Sequence, residues 1–374
     1  MSEALAPNKG PMSTDRIHNF NAGPGVLPEP VLRQAQQDLW NIGGSGIGIA
    51  EHSHRGKLFE RVIAEAEADA RALAGIPDQY KILFIQGGAS QQFAMVPMNL
   101  LTKGRTADYL LTGVWAQKAL EEARKFGTTH VAVTGESCKF TQIPAVSEIG
   151  YSERPVYVHL TTNNTIYGTQ WKEEPPVPDG VPLVADTSSD MFSRPIDVSK
   201  YGLIYAGAQK NLGPAGIAMV IIREDLAEQA EKSLPVMLQY RTYVKERSLY
   251  NTPPTFAIYM VGQVFKWILA AGGLAAMAER NREKAAVLYD FLDQSSLFRG
   301  TVDPGSRSLM NICFRTASEE LDAKFVGEAS RRGFEGLKGH RSAGGMRASV
   351  YNACPQASVE ALVVFMKEFE RANS

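Results

Sequence analysis

The sequence predicts an α/β protein with a large domain built on a mostly parallel seven-stranded sheet and a small C-terminal α+β domain. Three observations carry that expectation. Seven short apolar runs fall between residues 78 and 223, separated by Gly-rich or polar turns and, in several places, by helical patterns. Most of these runs are apolar along their whole length instead of alternating, as in strands covered by helices on both faces. After Pro253-Pro254 the texture changes to long helical patterns with isolated strand-like runs. A length of 374 residues suits two domains.

In chain order, residues 1–15 mix Pro, Gly, Ser and acidic residues without an apolar stretch or an Arg-rich amphipathic pattern, and read as a flexible extension, not a targeting signal. The large domain is expected over 16–270, its first residues free to pack on the small domain, which is expected over 271–374. A helix is predicted over 58–73, where Leu58, Phe59, Val62, Ile63, Ala66, Ala70 and Leu73 recur at helical spacing. The seven strands are predicted at 81–86, 107–112, 129–134, 155–160, 182–187, 202–207 and 216–222. Helices near 255–270 and 273–294 then lead to a strand at 308–314, a helix at 318–332, a strand at 346–351 and a final helix at 356–371.

Lys plus Arg number 39 and Asp plus Glu 40, so no global field exists to hold nucleic acid or an anionic membrane, and neither is an expected partner. Any bound anion must be met locally. The longest stretch lacking charged or strongly polar side chains, 267–278, is too short for a membrane helix, which needs about 20 residues. Three widely spaced cysteines, Cys138, Cys313 and Cys354, make neither a disulfide framework nor a metal knuckle. A reducing cytoplasm and no metal are expected.

Three polar elements stand at the ends of predicted strands, where open α/β sheets place their ligands. In Gln86-Gly87-Gly88-Ala89-Ser90-Gln91-Gln92 a helix opens directly after a strand, and its free amides favour an anion, most naturally a phosphate. Alone, this reads first as a strand-to-helix turn capped by Ser90. Asp186 ends the apolar run PLVA, where a carboxylate needs a positive partner. Lys210 lies between GLIYAGA and LGPAGIAMV, with little route to bulk water, and desolvation frees an amine to attack a carbonyl. Pyridoxal 5′-phosphate needs all three: an amine, a carboxylate for its ring nitrogen, and amides for its phosphate.

The strings at 20–32 (FNAGPGVLPEPVL), 84–93 (FIQGGASQQF), 184–225 (through AGAQKN), 250–259 (YNTPPTFAIY) and 337–353 (LKGHRSAGGMRASVYNA) resemble the phosphoserine aminotransferases. Those are class V aminotransferases of the pyridoxal-phosphate-dependent transferase fold type I, and the likeness runs from about Phe20 to the C-terminus. The resemblance implies that Lys210 is the Schiff-base lysine, Asp186 the partner of the ring nitrogen, Trp115 the ring-stacking aromatic and Thr165 the neighbour of the phenolic oxygen. The cofactor phosphate would be held by Ala89, Ser90 and Gln209, with Asn251 and Thr252 arriving from the second subunit of a homodimer. His54, Arg55, His340, Arg341 and Arg347 would bind the substrate, since phosphoserine and 2-oxoglutarate each carry two anionic ends. Many bacterial members have an arginine where this chain has Ser90, which shifts the expected hold on the substrate phosphate towards His340 and Arg341.

The implied reaction is a ping-pong transamination that links phosphoserine and 2-oxoglutarate to 3-phosphohydroxypyruvate and glutamate, in serine biosynthesis. A parallel use of 4-phosphohydroxythreonine in vitamin B6 synthesis stays open. So do three alternatives: an alanine- or serine:glyoxylate-type aminotransferase, a cysteine desulfurase, and a non-catalytic nucleotide-phosphate binder using the partial fingerprint at 45–49.

Overall fold

The computed structural model describes residues 16–373, so the extension expected over 1–15 lies outside the described residues. The chain runs through β1 (His18–Asn19), α1 (Glu29–Asn41), α2 (Lys57–Ala74), β2 (Tyr80–Gln86), α3 (Ala89–Leu100), β3 (Thr106–Leu111), α4 (Val114–Ala123) and β4 (Thr128–Thr134). It continues through β5 (Val158–Thr161), β6 (Leu183–Asp186), β7 (Tyr201–Gly207), β8 (Ile217–Arg223), α5 (Glu224–Ala227), α6 (Tyr240–Lys245), α7 (Thr255–Ala270) and α8 (Gly273–Gln294). Last come β9 (Arg299–Gly300), β10 (Asn311–Arg315), α9 (Glu319–Arg331), β11 (Phe334–Glu335), β12 (Met346–Ser349) and α10 (Gln356–Asn373).

All seven expected runs join one sheet, in the order β2-β8-β7-β6-β5-β3-β4. β8 is antiparallel to both neighbours and every other pairing is parallel. β6 starts at Leu183 and not at Pro182, because proline has no N–H to give the ladder. Residues alternate between two apolar layers. Phe84, Leu110, Leu160, Ala185, Ile204 and Ile221 pack with residues of α2 and α7, while Leu83, Tyr109, Val184, Leu203, Tyr205 and Val220 pack with residues of α3, α4 and α6. That double covering is why the strands read as continuous apolar runs.

A third apolar cluster gathers Phe298, Phe314, Phe325, Phe365 and Phe369 around α8, α9 and α10. Phe20 and Val26 of the N-terminal segment belong to it, and β1 pairs in parallel with β11. α8 spans both regions: Leu274 and Met277 sit in a large-sheet cluster, Leu288 and Leu292 in the C-terminal one. It meets α7 at 83°, and among the described residues no single helix is long and apolar enough to cross a membrane.

Because six strands run the same way, their carboxyl ends share one edge of the sheet. Gly87, Thr112, Thr162, Asp186 and Ala208 all stand at or just past that edge. The site is built there.

Candidate active site

Lys210 sits in the tight turn from β7 to β8, closed by bonds from the Leu212 and Gly213 amides to the Ala208 carbonyl at 3.1 and 2.8 Å. Only 9 % of the residue is exposed, and its Nζ donates to Thr165 Oγ1 at 2.6 Å. Burial pulls its pKa down to about 8 and the Arg347 charge adds to that, while Asp186 and Asp190 oppose it. The amine lies 5.6 Å from the centroid of the Trp115 ring.

Asp186 is the last residue of β6. Its Oδ1 accepts from the Ser188 amide at 3.0 Å and the Ser188 hydroxyl at 2.6 Å. Ser188 Oγ in turn accepts from the Gly207 amide at 3.0 Å, which ties the carboxylate to the neighbouring strand. Oδ2 has no hydrogen-bond partner among the described residues. Burial pushes the Asp186 pKa up, and the Lys210 charge and the Ser188 donors pull it back. A second buried carboxylate, Asp190, is held by Thr162 Oγ1 at 2.5 Å and Gln170 Nε2 at 3.1 Å. Sequence reasoning singled out neither Ser188 nor Asp190; the only signal was their place directly after the Asp186 strand end.

The amino end of α3 supplies an anion cradle. Gly87 takes φ +102°, which favours glycine, and Ala89 opens the helix. A Cβ added to Gly207 would lie 2.7 Å from Gln209 Oε1 and 3.4 Å from the Ala89 amide nitrogen, so glycine leaves that space open. Around the same edge, Thr112 Oγ1, Trp115 Nε1, Thr161 Oγ1 and Asn164 Oδ1 are buried without a hydrogen-bond partner. Buried polar atoms are rarely left so, and these fit a bound polar group such as pyridoxal phosphate.

Arg347 is buried and donates from Nη1 to the Thr165 carbonyl at 2.9 Å, so Thr165 touches both the amine and the guanidinium. His340 is half-buried with Nδ1 2.7 Å from Ser342 Oγ, and burial lowers its pKa, helped by Arg347, Arg341 and Lys118. Arg341 is exposed. His54 and Arg55 precede α2 and make no hydrogen bond to the Lys210 group; His54 Nε2 is buried and unpartnered. Asn251 Nδ2 donates to Gln86 Oε1 of its own chain at 3.0 Å, and Thr252 beside it is exposed. The fold thus gathers Lys210, Asp186, Thr165, Trp115, Gln209, Ala89, Ser90 and Arg347, with Asn251 bonded to Gln86 at the entry to the cradle, and gives His54, Arg55 and Thr252 no hydrogen bond to the group among the described residues.

Two of the three cysteines are poor nucleophiles. Burial pushes the Cys313 thiol up to about 12 and the Cys354 thiol up to about 11, so both stay protonated. Cys138 is half-buried and donates to the Gly135 carbonyl.

The family model for class-V aminotransferases matches residues 17–362. A phosphoserine aminotransferase of Herpetosiphon aurantiacus is 54% identical over 354 residues, covering 94% of this chain and 98% of its own. The solved phosphoserine aminotransferase from Bacillus circulans subsp. alkalophilus matches with a TM-score of 0.95 at 54% identity, covering 96% of this chain and 100% of that one. The pyridoxal-phosphate-bound phosphoserine aminotransferase from Trichomonas vaginalis matches with a TM-score of 0.90 at 40% identity, covering 94% and 100%.

Proposed function

This chain belongs to the class-V aminotransferases and, within them, to the phosphoserine aminotransferases, and we propose that its Lys210 site exchanges the amino group between phosphoserine and 2-oxoglutarate. The observation that carries the reading is a buried amine with pKa about 8, held by a single hydroxyl and set in the field of a carboxylate.

Pyridoxal phosphate, when bound, supplies an aldehyde for the amine and a ring that accepts electron density. Lys210 would hold the cofactor through its Nζ, and the same Nζ would take the proton from the substrate α-carbon and give it back as base and acid. Thr165 Oγ1 aims that nitrogen. Asp186 keeps Oδ2 for the ring nitrogen while Ser188 fixes its other oxygen. Ala89 and Ser90 offer amides, and Gln209 its side chain, to the cofactor phosphate. Trp115 gives the ring a flat face. Arg347 takes the substrate carboxylate, and His340 and Arg341, with His54 and Arg55, receive the far anionic end.

Asn251 and Thr252 would complete the phosphate site of a second subunit in a homodimer, a reading that rests on the resemblance; within its own chain Asn251 Nδ2 donates to Gln86 Oε1 at the entry to the cradle. The division into 16–270 and 271–374 is proposed with α8 as the shared strut. Three unpaired cysteines support a cytoplasmic setting. The same recognition of two anionic ends extends to 4-phosphohydroxythreonine, whose turnover beside phosphoserine a paired assay would read.

Borohydride reduction of the holoenzyme followed by digestion and mass spectrometry should place the pyridoxyl label on Lys210. A label on another lysine, or none after saturation, overturns the assignment. Turnover of phosphoserine should exceed that of serine by about 10²-fold, the discrimination expected when one charged end is lost; equal turnover would favour a glyoxylate-type enzyme.

A further inference from the structure

The three-stranded sheet β12-β10-β9 has two unlike faces. Ile312, Phe314, Met346 and Ala348 point into the C-terminal apolar cluster. Side chains alternate along a strand, so Cys313 and Arg315 of β10 point the other way, with Arg347 opposite Cys313 and Arg299 opposite Arg315. Three guanidiniums therefore share one face. Like charges directly opposed on neighbouring strands are destabilising. Among the described residues, none of the three forms an ion pair.

This face lines a cavity of about 620 Å³, which Phe140, Ile166 and Tyr167 also line. Lys139 adds a fourth cation to the lining, against the single carboxylate of Glu136. The donors are only partly used. Arg315 gives Nη2 to the Ala343 carbonyl at 2.8 Å, and Arg347 gives Nη1 to the Thr165 carbonyl at 2.9 Å, but the Nε of each is buried without a partner. Lys210, Asp186, Trp115 and His340 do not line this space.

We propose that this cavity is a second anion site, taking a small phosphate dianion between Arg299, Arg315 and Lys139 with Arg347 behind it. Guanidiniums suit a phosphate because they bind it through paired charged hydrogen bonds. Its volume is large for inorganic phosphate alone, which favours a phosphate monoester with a short carbon body. A bound dianion would also relieve the repulsion between Arg299 and Arg315. The site therefore trades stability of the empty protein for binding.

Calorimetric titration of the holoenzyme at low salt with glycerol 3-phosphate, which has neither an amino nor a keto group, and separately with inorganic phosphate, tests this. Arg299→Gln and Lys139→Gln should each weaken the ester about tenfold while leaving the phosphoserine KM within about twofold. Tighter binding of the ester than of inorganic phosphate marks the ester as the ligand, and the reverse order marks the free anion. In thermal melts, Arg299→Gln should raise the midpoint of the ligand-free protein, and glycerol 3-phosphate should raise it less in that variant than in wild type. Unchanged isotherms in both variants would overturn the proposal. So would a parallel rise in the phosphoserine KM, which would make the cavity part of the substrate site. Calorimetry and melts do not depend on transamination, so this proposal and the assignment of Lys210 fail separately.

Discussion

Two lysines are buried among the described residues, and their surroundings differ. Lys210 and Lys284 are 9 % and 3 % exposed, and burial pulls both down to a pKa of about 8. Lys284, on α8, gives its three donors to the carbonyls of Tyr351, Asn352 and Cys354 at 2.7, 3.5 and 3.1 Å. Lys210 gives one, to Thr165. Lys210 feels the carboxylates of Asp186 and Asp190, which oppose the fall in its pKa, whereas the charge of Arg280 adds to the fall at Lys284. Desolvation alone does not make a reactive amine. An ammonium with every donor filled is a structural clasp, and one with open valences beside a carboxylate is a reagent.

Exchanging the roles is the sharpest way to break that contrast. Lys210→Ala should lower transamination by about 10³-fold or more while the apoprotein stays folded. Lys284→Met should do the reverse, losing about 2 to 4 kcal/mol of stability because three buried carbonyls lose their donor. Urea denaturation and kcat measured on both variants decide it; a Lys284→Met protein of unchanged stability would erase the distinction. Next in size, Asp186→Asn keeps the bond to Ser188 but removes the charge, and should lower kcat by about 10²-fold with the fold intact.

The pH dependence separates the two lysines further. Each has a folded pKa near 8 against 10.5 in the unfolded chain, so between those values the unfolded state holds more protons and stability rises with pH. Between pH 8 and about 9.5, below the range where tyrosines titrate, denaturation of the apoprotein should show that rise. Lys210→Ala or Lys284→Met should each remove about half the slope. Capture of pyridoxal phosphate, followed by absorbance, should accelerate as pH rises through about 8 in wild type and at lower pH in Asp186→Asn, because Asp186 raises the Lys210 pKa. The smallest effect is that of Ser188→Ala, which frees one Asp186 oxygen at a cost of about 1 kcal/mol, or about fivefold in kcat.

Much of this was legible along the chain. The helices at Thr255–Ala270 and Gly273–Gln294 form where their periodicity places them, and α2 is within a residue of its expected bounds at each end. Strands covered on both faces announce themselves by composition, which is why all seven runs were visible. Strand order was not, nor was the parallel pairing of β1 with β11, since both link segments far apart in sequence. The strand expected at 308–314 begins at Asn311 because Ser308 instead caps the entry, its Oγ accepting from the Met310 and Asn311 amides at 2.9 Å.

The sequence by itself determined which side chains stand at the carboxyl edge of the sheet: Lys210, Asp186 and the Ala89 amide follow from strand ends and turns, which are local in the chain. Only the tertiary structure decided their properties. The pKa of Lys210 sums burial with the charges of Arg347, Asp186 and Asp190, and the cationic face appears only when β9 aligns Arg299 with Arg315. Backbone preference is set by covalent neighbours, whereas desolvation and Coulomb energy depend on whatever the fold brings within a few ångströms.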